Sequence, residues 1–138
     1  MESSQTEIEE GQLVVYTIGH SNKSLETFRT RLEQHGIQRL VDIRTRPYSR
    51  FCPWFNKNSL SQNLESHGIV YDFRGNNLGG LGENIDYDRT LDELIELAKT
   101  ERIAIMCSEA DFKKCHRHTM IEPDLTERGT EVEHIAYV

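Results

Sequence analysis

Reactive side chains gather in a few short stretches of this sequence. Cys107, Ser108 and Glu109 stand together, and Cys115, His116 and Arg117 follow shortly after. An imidazole and a guanidinium beside a thiol favour the thiolate, which is the nucleophilic form of cysteine. Cys115 is therefore a candidate nucleophile, with Glu109 or His20 as candidates for proton transfer. A soft metal site on Cys107, Cys115 and His116 is an alternative. Against it, adjacent helical residues point about 100° apart, and the paired Cys-x-x-Cys spacing of strong zinc sites is missing. No metal ligand is assigned. The plainer alternative is that Cys107 and Cys115 are inert core residues.

A second stretch is basic. Residues 37–57 carry Arg39, Arg44, Arg46, Arg50 and Lys57 against the single acid Asp42. Arg44 and Arg46, one residue apart, present guanidinium forks that can clamp a phosphate or carboxylate bidentately. Arg50, Lys57, His116 and Arg117 are further candidates for holding an anion, and a solvated arginine face is the alternative. Tyr48, Phe51, Trp54 and Phe55 fall within the same stretch. They can stack on a base, although such a cluster more often forms a small core that pins its loop. Gly19-His20-Ser21-Asn22 resembles an anion cradle, since glycine permits close backbone approach. Ser21 belongs to that cradle, and His20 has the alternative of capping the next helix. The dinucleotide Gly-x-Gly-x-x-Gly and the P-loop Gly-Lys-Ser/Thr are both missing, so no nicotinamide or ATP cofactor is assigned.

These residues lie between predicted elements. Residues 13–18, Leu-Val-Val-Tyr-Thr-Ile, read as a buried strand ending at Gly19. Ser24 caps a helix carrying Leu25, Phe28 and Leu32 to about residue 35. A second strand is predicted over 38–44, an irregular segment over 45–57, a helix over 59–67 and a third strand over 69–73. Residues 74–88, rich in glycine and asparagine, read as loop. Thr90 with Glu93 suggests a capping box for a helix to about residue 99. A fourth strand follows over 102–107. Asp111 is expected to cap a helix from Phe112 that Pro123 kinks or splits, and a last strand spans 131–136.

This alternation of strand and helix predicts one α/β domain over 13–138, a mostly parallel sheet with helices on both faces in a Rossmann-like or flavodoxin-like three-layer arrangement. Ligands of open parallel sheets bind beyond the carboxyl ends of the strands. The loops after the first four strands all end on that rim, bringing His20, then Arg44 and Arg46, then Arg74-Gly75-Asn76-Asn77, and last Glu109 with the continuation to Cys115, His116 and Arg117.

Length and charge narrow the field. The chain has 138 residues, 36% hydrophobic and 28% charged, with a formal net charge of −7. It is long enough for one core. No stretch approaches the ~20 apolar residues that span a bilayer, and residues 1–12 read as a disordered acidic tail rather than a signal peptide. A cytoplasmic location without a membrane partner is expected, and the three cysteines read as thiols rather than disulfides. A basic patch on an acidic protein suits a compact anion better than a long duplex. Oligomeric state is not legible.

Tyr-Thr-Ile-Gly-His-Ser-Asn at 16–22, Val-Asp-Ile-Arg-Thr-Arg-Pro at 41–47 and Ser-Arg-Phe-Cys-Pro-Trp-Phe-Asn-Lys at 49–57 resemble the family known as domain of unknown function 488. So do Leu-Gly-Gly at 78–80, Met-Cys-Ser-Glu at 106–109 and Cys-His-Arg at 115–117. The resemblance implies a compact α/β domain whose marker residues include Gly19, His20, Asp42, Arg44, Arg50, Glu109 and Cys115. It implies no reaction. The functional expectation is an enzyme acting on a phosphate-bearing nucleotide or nucleic-acid-derived substrate. The alternatives are a non-catalytic module binding anions or nucleic acid, and a cysteine-based metal or redox site.

Overall fold

A computed structural model describes residues 13–79, 84–109 and 115–137, the side chains of 116–119 excepted. Five strands, β1 (Leu13–Gly19), β2 (Arg39–Asp42), β3 (Val70–Phe73), β4 (Ile103–Cys107) and β5 (Thr130–His134), form one sheet. Their order is β3-β2-β4-β1-β5 and every pairing is parallel. Strand β4, Ile-Ala-Ile-Met-Cys, lies in the middle and buries all of its residues. Such a continuous apolar run is what a strand covered on both faces requires.

Parallel neighbours need crossover connections, and their hand decides where the helices go. From β1 to β2 to β3 the chain steps one way along the sheet, carrying α1 (Leu25–Gln34) and α2 (Lys57–Ser66). From β3 to β4 to β5 it steps back, carrying α3 (Gly75–Leu78), α4 (Tyr87–Ala98) and α5 (His116–Glu127). Right-handed crossovers running in opposite directions put the two sets on opposite faces. Phe28, Leu32, Leu60 and Leu64 accordingly pack with Ile18, Leu40, Ala104 and Met106. Leu91, Leu94, Ile121 and Leu125 pack with Val15, Val41, Ile105 and Cys107. Side chains alternate along a strand, so in β1, β2 and β4 the even-numbered residues face α1 and α2 and the odd-numbered ones face α4 and α5.

The three-layer α/β reading holds, with a wholly parallel sheet. Local boundaries differ in instructive ways. Ser24 caps α1, its hydroxyl accepting from the Thr27 amide at 3.1 Å. The proposed capping box at Thr90 is wrong. Helix α4 begins three residues earlier, and Thr90 is buried inside it with its amide bonded to the Asp86 carbonyl. The expected loop at 74–88 contains the one-turn α3, anchored by buried Leu78. Asp111 and Phe112 lie outside the described residues, and Cys115 itself occupies the N-cap position of α5. Pro123 does not split that helix. Ile121 and Leu125 on either side are buried in the core, and tertiary packing of an apolar face outweighs one missing hydrogen bond. No helix among the described residues is long and apolar enough to cross a membrane.

Candidate functional site

The carboxyl ends of β1, β2 and β4 open onto a cleft of about 330 Å³ lined by His20, Arg44, Thr45, Arg46, Tyr48, Ser49, Arg50 and Ser108. Its floor is a buried polar cluster that strand alternation assembles. Leu40, Asp42 and Arg44 take the same side of β2 and its extension, and His20 takes that side beyond β1. Asp42 is fully buried and Arg44 nearly so. The Arg44 Nε donates to Asp42 Oδ1 at 2.9 Å and its Nη2 to Oδ2 at 2.8 Å, a bidentate pair. The Arg44 amide donates to the same carboxylate at 3.1 Å, which turns the chain and ends β2 earlier than predicted. Tyr71 completes the set, its hydroxyl donating to Oδ2 at 2.5 Å. Burial, and then the Asp42 charge, push the Tyr71 phenol well above its ordinary range, so it remains a hydrogen-bond donor.

His20 is buried and stacks on Phe55, with ring centroids 4.4 Å apart. Its Nδ1 lies 2.7 Å from the Ser21 carbonyl, which can only accept, so Nδ1 carries the proton. The neutral ring then offers its Nε2 lone pair to Arg44 Nη1 at 3.4 Å. Burial pushes the imidazole down to about 4, helped by the Arg44 charge. The turn that makes this possible has Ser21 in the left-handed region, at φ 48°, with its amide bonded to the Ser108 carbonyl at 2.8 Å. Arg44 Nη2 also donates to the Phe55 carbonyl at 2.8 Å. A guanidinium has five N–H groups, and one on Arg44 Nη1 has no acceptor among the described residues.

Above this neutral floor the cleft carries positive charge. Arg46 and Arg50 are exposed, and neither makes an ion pair among the described residues. The loop that presents them is held from below. The Lys57 amide donates to the buried Pro47 carbonyl at 2.9 Å, and the Ser49 amide to Asn56 Oδ1 at 2.6 Å. Cys52 and Phe55 are buried beneath it.

The structure therefore brings His20, Arg44, Arg46 and Arg50 to one cavity and puts other candidates elsewhere. Ser21 contributes its backbone, not a cleft-lining side chain. Lys57 sits with its ammonium 4.3 Å from the Phe73 ring centroid, outside the lining. Glu109 is exposed beyond β4 and does not line the cleft. Cys115 is buried, its thiol 3.2 Å from that of Cys107. Cys107 is an odd-numbered residue of β4, so both thiols lie on the α4 and α5 side, across the sheet from His20 and Arg44. The side chains of His116 and Arg117 lie outside the described residues. Tyr71 and Ser49 were missed as candidates. The sequence marks Asp42 only as the single acid of the basic stretch and as part of the family resemblance, although its spacing of two from Arg44 at a strand end points to a shared side.

Among the described residues, no group of three or more His, Cys, Asp or Glu side chains is placed to hold a metal ion. No curated protein and no solved structure matches the chain significantly. The family described as domain of unknown function DUF488 matches residues 24–87 and 81–122. Those matches span both faces of the sheet and well over half of the chain, which therefore belongs to that family.

Proposed function

We propose that the cleft binds a phosphate-bearing ligand, a nucleotide or an exposed piece of nucleic acid, with Arg46 and Arg50 holding the phosphate above Arg44. The observation that supports this reading is the pair of guanidiniums in one concavity with no carboxylate opposite either among the described residues. Like charges gathered in a cleft repel, and an anion between them removes the repulsion while gaining charge-assisted hydrogen bonds. Arg44 adds a donor and no net charge, because Asp42 cancels it. Calorimetric titration with a nucleoside monophosphate at low salt tests the reading. Arg46→Ala and Arg50→Ala should each weaken binding by about tenfold or more, since hydrogen bonds to charged groups contribute about 1.5–3 kcal/mol. Undiminished affinity in the double variant would overturn it.

An enzyme is the second reading, favoured by the buried Asp42, Arg44, His20 and Tyr71 cluster. Taking an ion pair out of water is costly, and such groups collect where proteins carry out chemistry. In this reading the arginines position the substrate phosphate, His20 sets the orientation of Arg44, and Glu109, exposed outside the lining but next to the cleft-lining Ser108, is the candidate for moving a proton. Loss of turnover in Glu109→Ala with ligand affinity retained would support it.

A further inference from the structure

The loop over the cleft has a second property that phosphate binding does not use. Tyr48 is 67% exposed and Phe51 83% exposed. An aromatic cluster in this loop was expected to be a small core. Only Phe55 fills that role completely, while Trp54 is partly covered and its Nε1 donates to the Lys23 carbonyl at 2.9 Å. Tyr48 and Phe51 are left pointing away from the core by the bonds that tie down Pro47, Ser49 and Cys52. Two large aromatic rings three residues apart thus face solvent on a fastened loop, on either side of Arg50. The Arg50 guanidinium lies 5.7 Å from the Phe51 ring centroid, and Arg46, Tyr48 and Arg50 all line the cleft.

Charge singles out the same place. From Ile43 to Leu64 the sequence has Arg44, Arg46, Arg50 and Lys57 and not one Asp or Glu, in a chain with 23 acidic residues. We propose that residues 46–51 form a docking strip for single-stranded nucleic acid, with bases stacked on Tyr48 and Phe51 and intervening phosphates on Arg46 and Arg50. This rests on the phosphate reading of the cleft and names the partner that the cleft serves. Alternating cations and aromatic faces is the arrangement that tracks an unpaired strand, because every base has a π-face that stacks without regard to sequence. A duplex hides those faces. It would also press many phosphates against a protein of net charge −7, where among the described residues Arg46 and Arg50 are the cleft cations not already paired with a carboxylate.

Fluorescence anisotropy with a labelled ten-nucleotide oligo(dT) tests the strip, alongside a ten-base-pair duplex and vesicles containing anionic phospholipid. The single strand should bind the wild-type chain at least tenfold more tightly than the duplex. Phe51→Ala should weaken the single strand by about tenfold, while Phe51→Tyr retains it. With two phosphate contacts, the logarithm of affinity should fall with that of salt at a slope of about −1.4, from ~0.7 per contact on single strands. Phe51 is exposed, so an unchanged melting temperature in Phe51→Ala is the check that the fold is intact. Equal binding of strand and duplex, or an indifferent Phe51→Ala, overturns the strip. So does Phe51-dependent binding to the vesicles without binding to the strand. Inorganic phosphate titrated into the wild-type chain separates the two proposals: if phosphate binds and Phe51 is indifferent, only the strip fails. If neither phosphate nor the strand binds, the cleft reading fails with it.

Discussion

His20 illustrates how a single residue is decided by its surroundings. By type and position it is a candidate base, yet its ring is stacked on Phe55, its Nδ1 proton is held by the Ser21 carbonyl, and its lone pair faces Arg44. With its pKa near 4 in the fold against an ordinary 6.5, the imidazole is neutral across the physiological range and orients the guanidinium. The unfolded chain takes up a proton on His20 below pH 6.5, and the folded chain does so only near 4. Between those values the unfolded state binds more protons, so stability falls as pH drops through the window, by up to about 3 kcal/mol. Urea midpoints measured from pH 7 down to pH 4 should show this loss. In His20→Asn the dependence should be shallower by about 1.4 kcal/mol per pH unit, and parallel profiles would refute the placement. The residue types at the rim were legible in the sequence, because loops after parallel strands had to carry them. Partnership was not. Asp42 looked like a lone acid in a basic stretch, and only the fold shows that it is saturated by Arg44 and Tyr71.

At the scale of elements, the short α3 shows why the glycine-rich stretch after β3 could not be read as mere loop. A Cβ on Gly75 would meet the Arg44 carbonyl oxygen and the Phe73 ring, and one on Gly79 would meet the Thr45 hydroxyl and the Gly75 carbonyl. This turn packs directly beneath the backbone that starts the cleft loop. Helix propensity alone predicts that Gly75→Ala gains about 1 kcal/mol. Overpacking against a backbone carbonyl predicts a loss of about 1–3 kcal/mol. We expect the loss, read from denaturant unfolding, because the carbonyl belongs to Arg44 and cannot shift without disturbing the Asp42 pair. Strands and the longer helices were legible from periodicity and from Ser24. Start points were not: α4 recruits Tyr87, whose hydroxyl reaches Asp124 of α5 at 2.5 Å, a contact invisible to local pattern. Pro123 leaves α5 unsplit for the same kind of reason, because Ile121 and Leu125 on either side of it are buried in the core.

For the whole molecule, reversal of direction along the sheet divides the rim into two sides. The sequence placed His20, Arg44, Glu109 and Cys115 at the strand ends and could not say on which side each would fall. Backbone proximity does not unite them. The His20 amide bonds to the Cys107 carbonyl at 3.0 Å while their side chains lie on opposite faces. Cys115→Ala should therefore lower stability by roughly 1 kcal/mol, the cost of deleting a small buried group, and leave nucleoside monophosphate affinity within twofold. A tenfold loss of affinity would mean that the two sides communicate. Residue parity in three strands carries this division, and it could have been written down from the sequence once the strand register was known.

The only indole of the molecule is Trp54, seated on the cleft loop by its bond to Lys23 and lying 6.1 Å from the Phe55 ring. All tryptophan emission therefore originates between Lys23 and Phe55, in the segment that carries the cleft loop, and none from the sheet. Nature has left an optical probe on the one segment whose seating matters most, so its fluorescence and the backbone dichroism report different parts of the same protein.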